Sequence, residues 1–140
     1  MIILDTDVVS GLMRPEPDVA LGKWLNGQPA QSIWTTAITV FEIRFGIDLL
    51  PVGRRKHQLE ISFAHSLAED LRERILDFDH DAAQEAARMA AHRPLAGKRV
   101  EFRDVEIAGI VASRRATLAT RNTRHFEGLG IDLIDPWANA

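Results

Sequence analysis

The sequence predicts an α/β fold: a single domain with a central, mostly parallel sheet of about four to five strands flanked by helices. Three observations point there. Short apolar runs rich in β-branched residues recur at Ile2 to Leu4, Ser32 to Thr36, Ile75 to Phe78, Thr117 to Thr120 and Ile131 to Ile134. Segments with apolar residues at helical spacing lie between them, as in alternating strand and helix units. The first run stops abruptly at Asp5-Thr6-Asp7, which places a carboxylate at the carboxyl end of a strand, where an open α/β sheet faces its ligand crevice.

Each element has its own signal. After the first strand, Thr6 and Asp7 can cap a helix whose stripe is Val8, Val9, Leu12 and Met13 and which Arg14-Pro15 ends; the ordinary alternative to a functional role is that Asp5 and Asp7 only cap this helix. Val19, Leu21, Trp24 and Leu25 predict a short second helix closing near Asn26-Gly27, with Trp24 in the core. The second strand follows the break at Gln28-Pro29. Thr36 or Thr39 can then cap a helix with Ile38, Phe41, Phe45 and Leu49 on one side and Val40, Ile43, Ile47 and Leu50 on the other. A helix so apolar on all sides is expected to be buried, with Glu42 inside it. An ionised carboxylate there costs several kcal/mol unless it is paired, hydrogen-bonded or bound to a cation. Arg44, two residues along, faces another way and is a poor partner; a more distant Arg or a solvent-lined groove is the ordinary alternative.

Past Pro51 and Gly53, Arg54 to Arg72 reads as a longer helix with Leu59, Phe63, Leu67 and Leu71 as its stripe, so the chain makes an α-hairpin after the second strand. A third strand runs into Asp79-His80-Asp81 and an alanine-rich helix from Ala82 to Ala91. His80 and His92 lack partners at metal-ligand spacing and are expected on the surface. Pro94 and Gly97 mark a basic, mobile loop leading to Asp104, in the first turn of a helix carrying Ile107, Ala108, Val111 and Ala112. The strand Thr117 to Thr120 ends at Arg121-Asn122, and the last strand precedes Asp135-Pro136-Trp137.

Composition bounds the reading. At 140 residues, without repeats or a linker, residues 1–140 form one domain. No stretch approaches the roughly 20 apolar residues needed to cross a bilayer, and the first apolar run lacks the basic flank and length of a signal peptide. With no cysteine, disulfide and thiolate chemistry are excluded, and a cytoplasmic location is expected. The net charge of -3 gives no overall electrostatic case for nucleic acid. Locally, basic clusters at Arg54-Arg55-Lys56, from Arg88 to Arg103, and at Arg114, Arg115, Arg121 and Arg124 are either solvated faces or binding surfaces.

Asp5 at a strand end, Glu42 in a helix, Asp104 in a first helical turn and Asn122 just after another strand can all converge on one edge of a parallel sheet. Converging carboxylates repel one another and raise their pKa values unless a cation neutralises them. An all-oxygen set without His or Cys suits Mg²⁺ or Mn²⁺ rather than zinc. With such an ion the natural substrate is a phosphate ester.

Five segments then carry a resemblance: Ile2 to Ser10, Thr36 to Gly46, Asp104 to Ile110, Ala119 to Asn122, and Asp135-Pro136-Trp137. In that order along a chain of this length they resemble a VapC-type PIN domain. The resemblance implies a metal-dependent ribonuclease toxin paired with a VapB-type antitoxin, with no membrane role and DNA contacted only through the antitoxin. Carried over by position, Asp5 and Asp104 would be the main metal ligands, and Glu42 would bind the metal or position the attacking water. Asn122 would hydrogen-bond near the reacting phosphate, and Thr6, Arg121 and Arg124 would contact substrate. The resemblance further implies a homodimer, alone or within a larger toxin-antitoxin assembly, with the antitoxin's C-terminal segment docking on the α-hairpin from Ala37 to Leu71.

The chain departs from the family's pattern near residue 122. Many relatives have an acid at the position of Asn122 or three residues later, where His125 stands. Asp7, where relatives often have Asn, can compensate; Glu106 points away from the face of Asp104. One firmly bound ion is therefore expected, with a second arriving with substrate. Two rival readings remain. One is a PIN-like module that binds RNA or an antitoxin without cutting. The other is a haloacid-dehalogenase-type phosphatase, whose first motif Asp5-x-Asp7 resembles but whose later Lys and paired acids have no clear counterpart, Lys98 lying in a loop.

Overall fold

The computed structural model describes residues 1–92 and 101–138. At its centre is β1 (Ile2–Leu4), flanked on one side by β2 (Ile33–Thr36) and β3 (Ile75–Leu76) and on the other by β4 (Thr117–Ala119) and β5 (Asp132–Ile134). The order is β3-β2-β1-β4-β5, and every pairing is parallel. The strand order reverses direction at β1, so the β1/β4 boundary is the topological switch point, where loops diverge to opposite faces and leave a crevice.

Alternation along the strands divides the core in two. Leu4, Ile33 and Ala119 face one layer, with α1 (Thr6–Leu12), α2 (Val19–Asn26), α3 (Ala37–Asp48) and α4 (Arg54–His65) packed over them. Ile3, Leu76 and Leu118 face the other, under α5 (His80–His92) and α6 (Phe102–Ser113). Residues one apart on β1 thus enter opposite cores, as a period of two requires. The α5/α6 pair is close because Gly109 lacks a side chain: a Cβ there would stand 2.5 Å from the Ala82 carbonyl oxygen and 2.8 Å from the Ala86 Cβ. Trp24 is buried as expected, and His80 and His92 are exposed.

Three expectations are corrected. The first helix is capped by Asp5, whose carboxylate accepts from the Thr6 N–H at 2.8 Å; Thr6 and Asp7 lie within the helix, which frees their side chains for other contacts. The α3 helix, capped by Thr36, is only half buried: Ile43 and Ile47 enter the core, whereas Phe41 and Phe45 stack on each other outside it and remain 58% and 48% exposed. One side of a helix lying on a sheet has no layer to cover it, whatever its composition. The helix from Arg54 ends at His65 instead of Arg72, passing through a π turn at Ser66–Asp70 to Arg72 and Glu73, both in the left-handed region at φ 46 and 58. That turn still buries Leu71 fully. The basic loop through Arg93, Lys98 and Arg99 lies outside the described residues, as does Lys98's part in the phosphatase reading.

Candidate active site at the switch point

At the carboxyl edge of β1 the backbone N–H of Asp5 donates to the Ala119 carbonyl at 2.9 Å, which fixes the residue against β4. Its side chain is buried, with 7% exposure, and each oxygen has one protein donor: Oδ1 accepts from the Thr6 N–H at 2.8 Å and Oδ2 from the Thr120 hydroxyl at 2.8 Å. Burial, with the charge of Asp7 second and that of Asp104 last, pushes the Asp5 carboxyl up to about 7, against the opposing hydrogen bonds from Thr120 and Thr6.

Asp7 reaches back from α1 to the same strand end. Its Oδ2 accepts from the Arg121 N–H at 2.9 Å and from the Asn122 amide at 3.3 Å, with the Thr120 hydroxyl at 3.4 Å. Its Oδ1 is buried and has no hydrogen-bond partner. Burial raises this carboxyl as well, against the same backbone donors. An orphaned carboxylate oxygen beside a second carboxyl raised by burial is a costly arrangement unless a cation joins it.

Glu42, on α3, faces a cleft of about 450 Å³ between α1 and the α3/α4 hairpin, lined also by Thr6, Arg55, Leu59 and Arg103. Burial raises its pKa; Arg103 and a hydrogen bond from Thr6 act the other way, and Asp104 adds to the rise. The distant partner expected of Glu42 is thus Arg103, in a solvent-lined groove. Arg44 is engaged elsewhere, with Asp48 at 2.8 Å and Glu60 at 2.9 Å. Asp104 lies in the first turn of α6, and its charge bears on both Asp5 and Glu42, so the three acids share one electrostatic site. His125 approaches Asp104 at 3.5 Å from the 3₁₀ turn at Thr123–His125.

The structure brings Asp5, Asp7, Asn122 and Arg121 into direct contact around Thr120, and Thr6 beside Glu42. Arg124 is exposed on the 3₁₀ turn and does not line the Glu42 cleft. Glu106 faces the opposite layer, beside Phe78 and Phe102. Among the described residues no three acidic or histidine side chains stand close enough together, as they lie here, to enclose one cation. The donor chemistry nonetheless fits a hard dication: every candidate ligand is a carboxylate oxygen, and one of those oxygens is buried without a partner.

Two contributors were not singled out from sequence. Thr120, fully buried, is the hub that ties Asp5, Asp7 and the Asn122 N–H together. Thr39, also fully buried, holds the Thr6 hydroxyl at 3.1 Å. A threonine at the polar end of an apolar strand, next to the strand that ends in Asp5, is the signal that pointed to the first; nothing local distinguishes Thr39 from an ordinary helical threonine.

A PIN domain family model matches residues 2–130. The VapC ribonuclease Y4jK of Sinorhizobium fredii is 36% identical over 140 residues, covering all of both chains. Toxin FitB of Neisseria gonorrhoeae is 33% identical over 137 residues, covering 98% of this chain and 99% of that one. Among solved structures, FitAB bound to an IR36 DNA fragment superimposes with a TM-score of 0.86 at 33% identity, covering 98% of this chain and 96% of that one.

Proposed function

This chain belongs to the PIN-domain family as a VapC-type toxin of a toxin-antitoxin system, and from that premise we propose that it is a metal-dependent ribonuclease that hydrolyses RNA phosphodiester bonds in the cytoplasm. The haloacid-dehalogenase reading falls with the family assignment. The observation that carries the proposal is the pair at the switch point: Asp5, buried and pushed up to about 7, beside Asp7 with a buried oxygen that no protein group satisfies.

Asp5 and Asp104 would hold a divalent ion, Mg²⁺ or Mn²⁺, with Asp7 Oδ1 or Glu42 completing the set. When bound, such an ion supplies an activated water at neutral pH and offsets the charge that develops on the phosphate oxygens. The protein's own groups do the rest. The Thr120 and Thr6 donors leave each Asp5 oxygen one direction free, so the carboxylate is oriented before anything binds. Glu42, with the Thr6 hydroxyl donating to it, orients the attacking water and takes its proton. The Asn122 amide spends one N–H on Asp7 and has a second for a phosphate oxygen. Arg121, Arg124 and the basic residues between Arg93 and Arg103 hold the RNA backbone. Without a fourth acid at 122 or 125, one ion binds firmly and a second arrives with the RNA.

The proposed inhibitor is a VapB-type antitoxin whose C-terminal segment lies along the α3/α4 hairpin. The exposed Phe41 and Phe45 and the cleft holding Glu42 give it an apolar track that ends at the acids. DNA is reached through the antitoxin, and the toxin acts as a homodimer, free or within the larger assembly. The solved structure of FitAB bound to a DNA fragment supports a DNA-contacting assembly.

The test is cleavage of structured and unstructured RNAs with Mg²⁺, with Mn²⁺ and with EDTA, comparing wild type with Asp5→Asn. Turnover that requires metal and is lost in the variant is the expected result. Metal-independent cutting, or an Asp5→Asn protein that cuts at the wild-type rate, would reject the assignment. Stoichiometric RNA binding without turnover by a folded, antitoxin-free protein would favour the non-cleaving module, the reading that the missing fourth acid supports.

A further inference from the structure

A second cleft, of about 270 Å³, opens on the other side of α1 from Glu42, between Asp7, Gly11, Arg14, Arg121 and Trp137. Its wall is built by close packing. The Trp137 indole edge rests on α1 at Gly11, where a Cβ would lie 3.3 Å from Cζ2 and 2.9 Å from the Leu21 side chain. The Arg121 guanidinium lies over the indole ring, 4.7 Å from its centroid. The same residue's backbone N–H is tied to Asp7 at 2.9 Å, so one end of Arg121 belongs to the acid cluster and the other is laid flat on an aromatic face. Among the described residues neither the Arg121 nor the Arg14 guanidinium is matched with a carboxylate. Of the acids in the wall, Asp7 turns Oδ2 to the Arg121 N–H and the Asn122 amide with Oδ1 buried, and Asp18 accepts from the Ala20 N–H at 2.8 Å.

An arginine held by stacking has already lost most of the rotamer freedom it would lose on binding, while its N–H donors stay free in the plane for an oxyanion. That fork matches phosphate as it does carboxylate, and in a cleft beside a phosphodiester-cleaving site the oxyanion at hand is a backbone phosphate. We propose that Trp137 is a positioning residue that holds Arg121, with Arg14 on the facing wall, as a clamp for a backbone phosphate of single-stranded RNA next to the bond that is cut. The inference rests on the ribonuclease reading for the identity of the strand. Gly11 belongs to the same device, since a Cβ there crowds both the Leu21 side chain and the indole edge.

The measurement is binding of a fluorescent single-stranded oligoribonucleotide of mixed sequence to the full chain carrying Asp5→Asn, with Mg²⁺, as a function of salt. Arg121→Ala should weaken binding about tenfold and flatten the log Kd against log salt slope by about 0.7, the signature of one lost phosphate contact on a single strand. Trp137→Leu, which keeps apolar bulk without a π face, should weaken binding about threefold, and Trp137→Phe should restore it. Combined with Arg121→Ala, Trp137→Leu should add little, because both remove the same clamp. An unchanged salt slope in Arg121→Ala, equal affinities for the Leu and Phe variants, or losses that add fully would overturn the clamp. So would variants that bind RNA normally but fail to bind the antitoxin. Should the wild type cut no RNA while the clamp variants still show these losses, the ribonuclease reading falls and the clamp stands.

Discussion

Asp5 and Asp7 leave the end of β1 with every carboxylate oxygen but one engaged by the protein, whereas Glu42 and Asp104 reach the same edge from helices that leave them partly open to solvent. The first pair hangs on a strand end bonded to its neighbour and on a buried threonine, so its geometry exists before any ligand arrives. The second pair is faced by side chains of opposite charge or of basic type, Arg103 near Glu42 and His125 at 3.5 Å from Asp104. The contrast is one of preorganisation: the strand end holds its carboxylates by fixed protein donors, and the helices hold theirs half-buried beside a cleft.

The largest effect that would break this comparison is on turnover. Asp5→Asn should lower cleavage by at least about 10³-fold while leaving circular dichroism unchanged. Glu42→Gln, on the helical side, should cost about 10²-fold, seen in kcat from initial rates on one RNA. Equal losses in the two variants would erase the distinction between the halves.

The next effect is on stability and its dependence on pH. With the Asp5 carboxyl at about 7 in the fold and at 3.8 when unfolded, the native state keeps a proton that the unfolded chain has released between those values. Stability of the metal-free protein should therefore fall as pH rises from about 4 to about 7, by up to about 4 kcal/mol, and level off above. Melting temperatures in EDTA across that range measure it. Asp5→Asn should flatten the profile, and saturating Mn²⁺ should raise the wild-type melting temperature at pH 8 more than that of the variant. A wild-type curve that climbs between pH 4 and 7 would contradict the burial of an unneutralised Asp5.

The smallest effect concerns the hub. Thr120→Val keeps the shape and removes the hydroxyl that serves Asp5, Asp7 and the Asn122 N–H, so it should cost about 1–3 kcal/mol in urea unfolding. Thr39→Val, which removes only the contact to Thr6, should cost about 1 kcal/mol.

Where the polar ends of strands fall was legible residue by residue. Ile2 to Leu4 followed by Asp5, and the run from Thr117 that gives way to Arg121-Asn122, mark strands that stop at a crevice; the structure pairs them side by side and ends the second at Ala119, one residue earlier than the sequence suggests. The first turn of α6 was equally plain at Asp104. Burial was not. Phe41 and Phe45 read as core on composition, yet they form an exposed stacked pair, because composition says what a helix can bury and not whether another layer arrives to cover it. The end of α4 was hidden for a related reason: Leu67 and Leu71 continue the helical stripe, but the chain must turn back to enter β3, and a π turn with two left-handed residues achieves that while keeping Leu71 inside.

By itself the sequence determined the alternation of strands and helices, the parallel sheet, and the placing of Asp5 at a strand end and of Asp104 in a first helical turn, because periodicity and the residue that ends each run are local properties. Only the tertiary structure decided that Thr120 joins Asp5 to Asp7, that one Asp7 oxygen is left without a partner, and that Trp137 lies under Arg121. The contacts of Asp5 and Asp7 with Thr120 and Arg121 join residues more than a hundred positions apart across the β1/β4 boundary, and the pairing of two strands from opposite ends of the chain, not any spacing along it, brings them together.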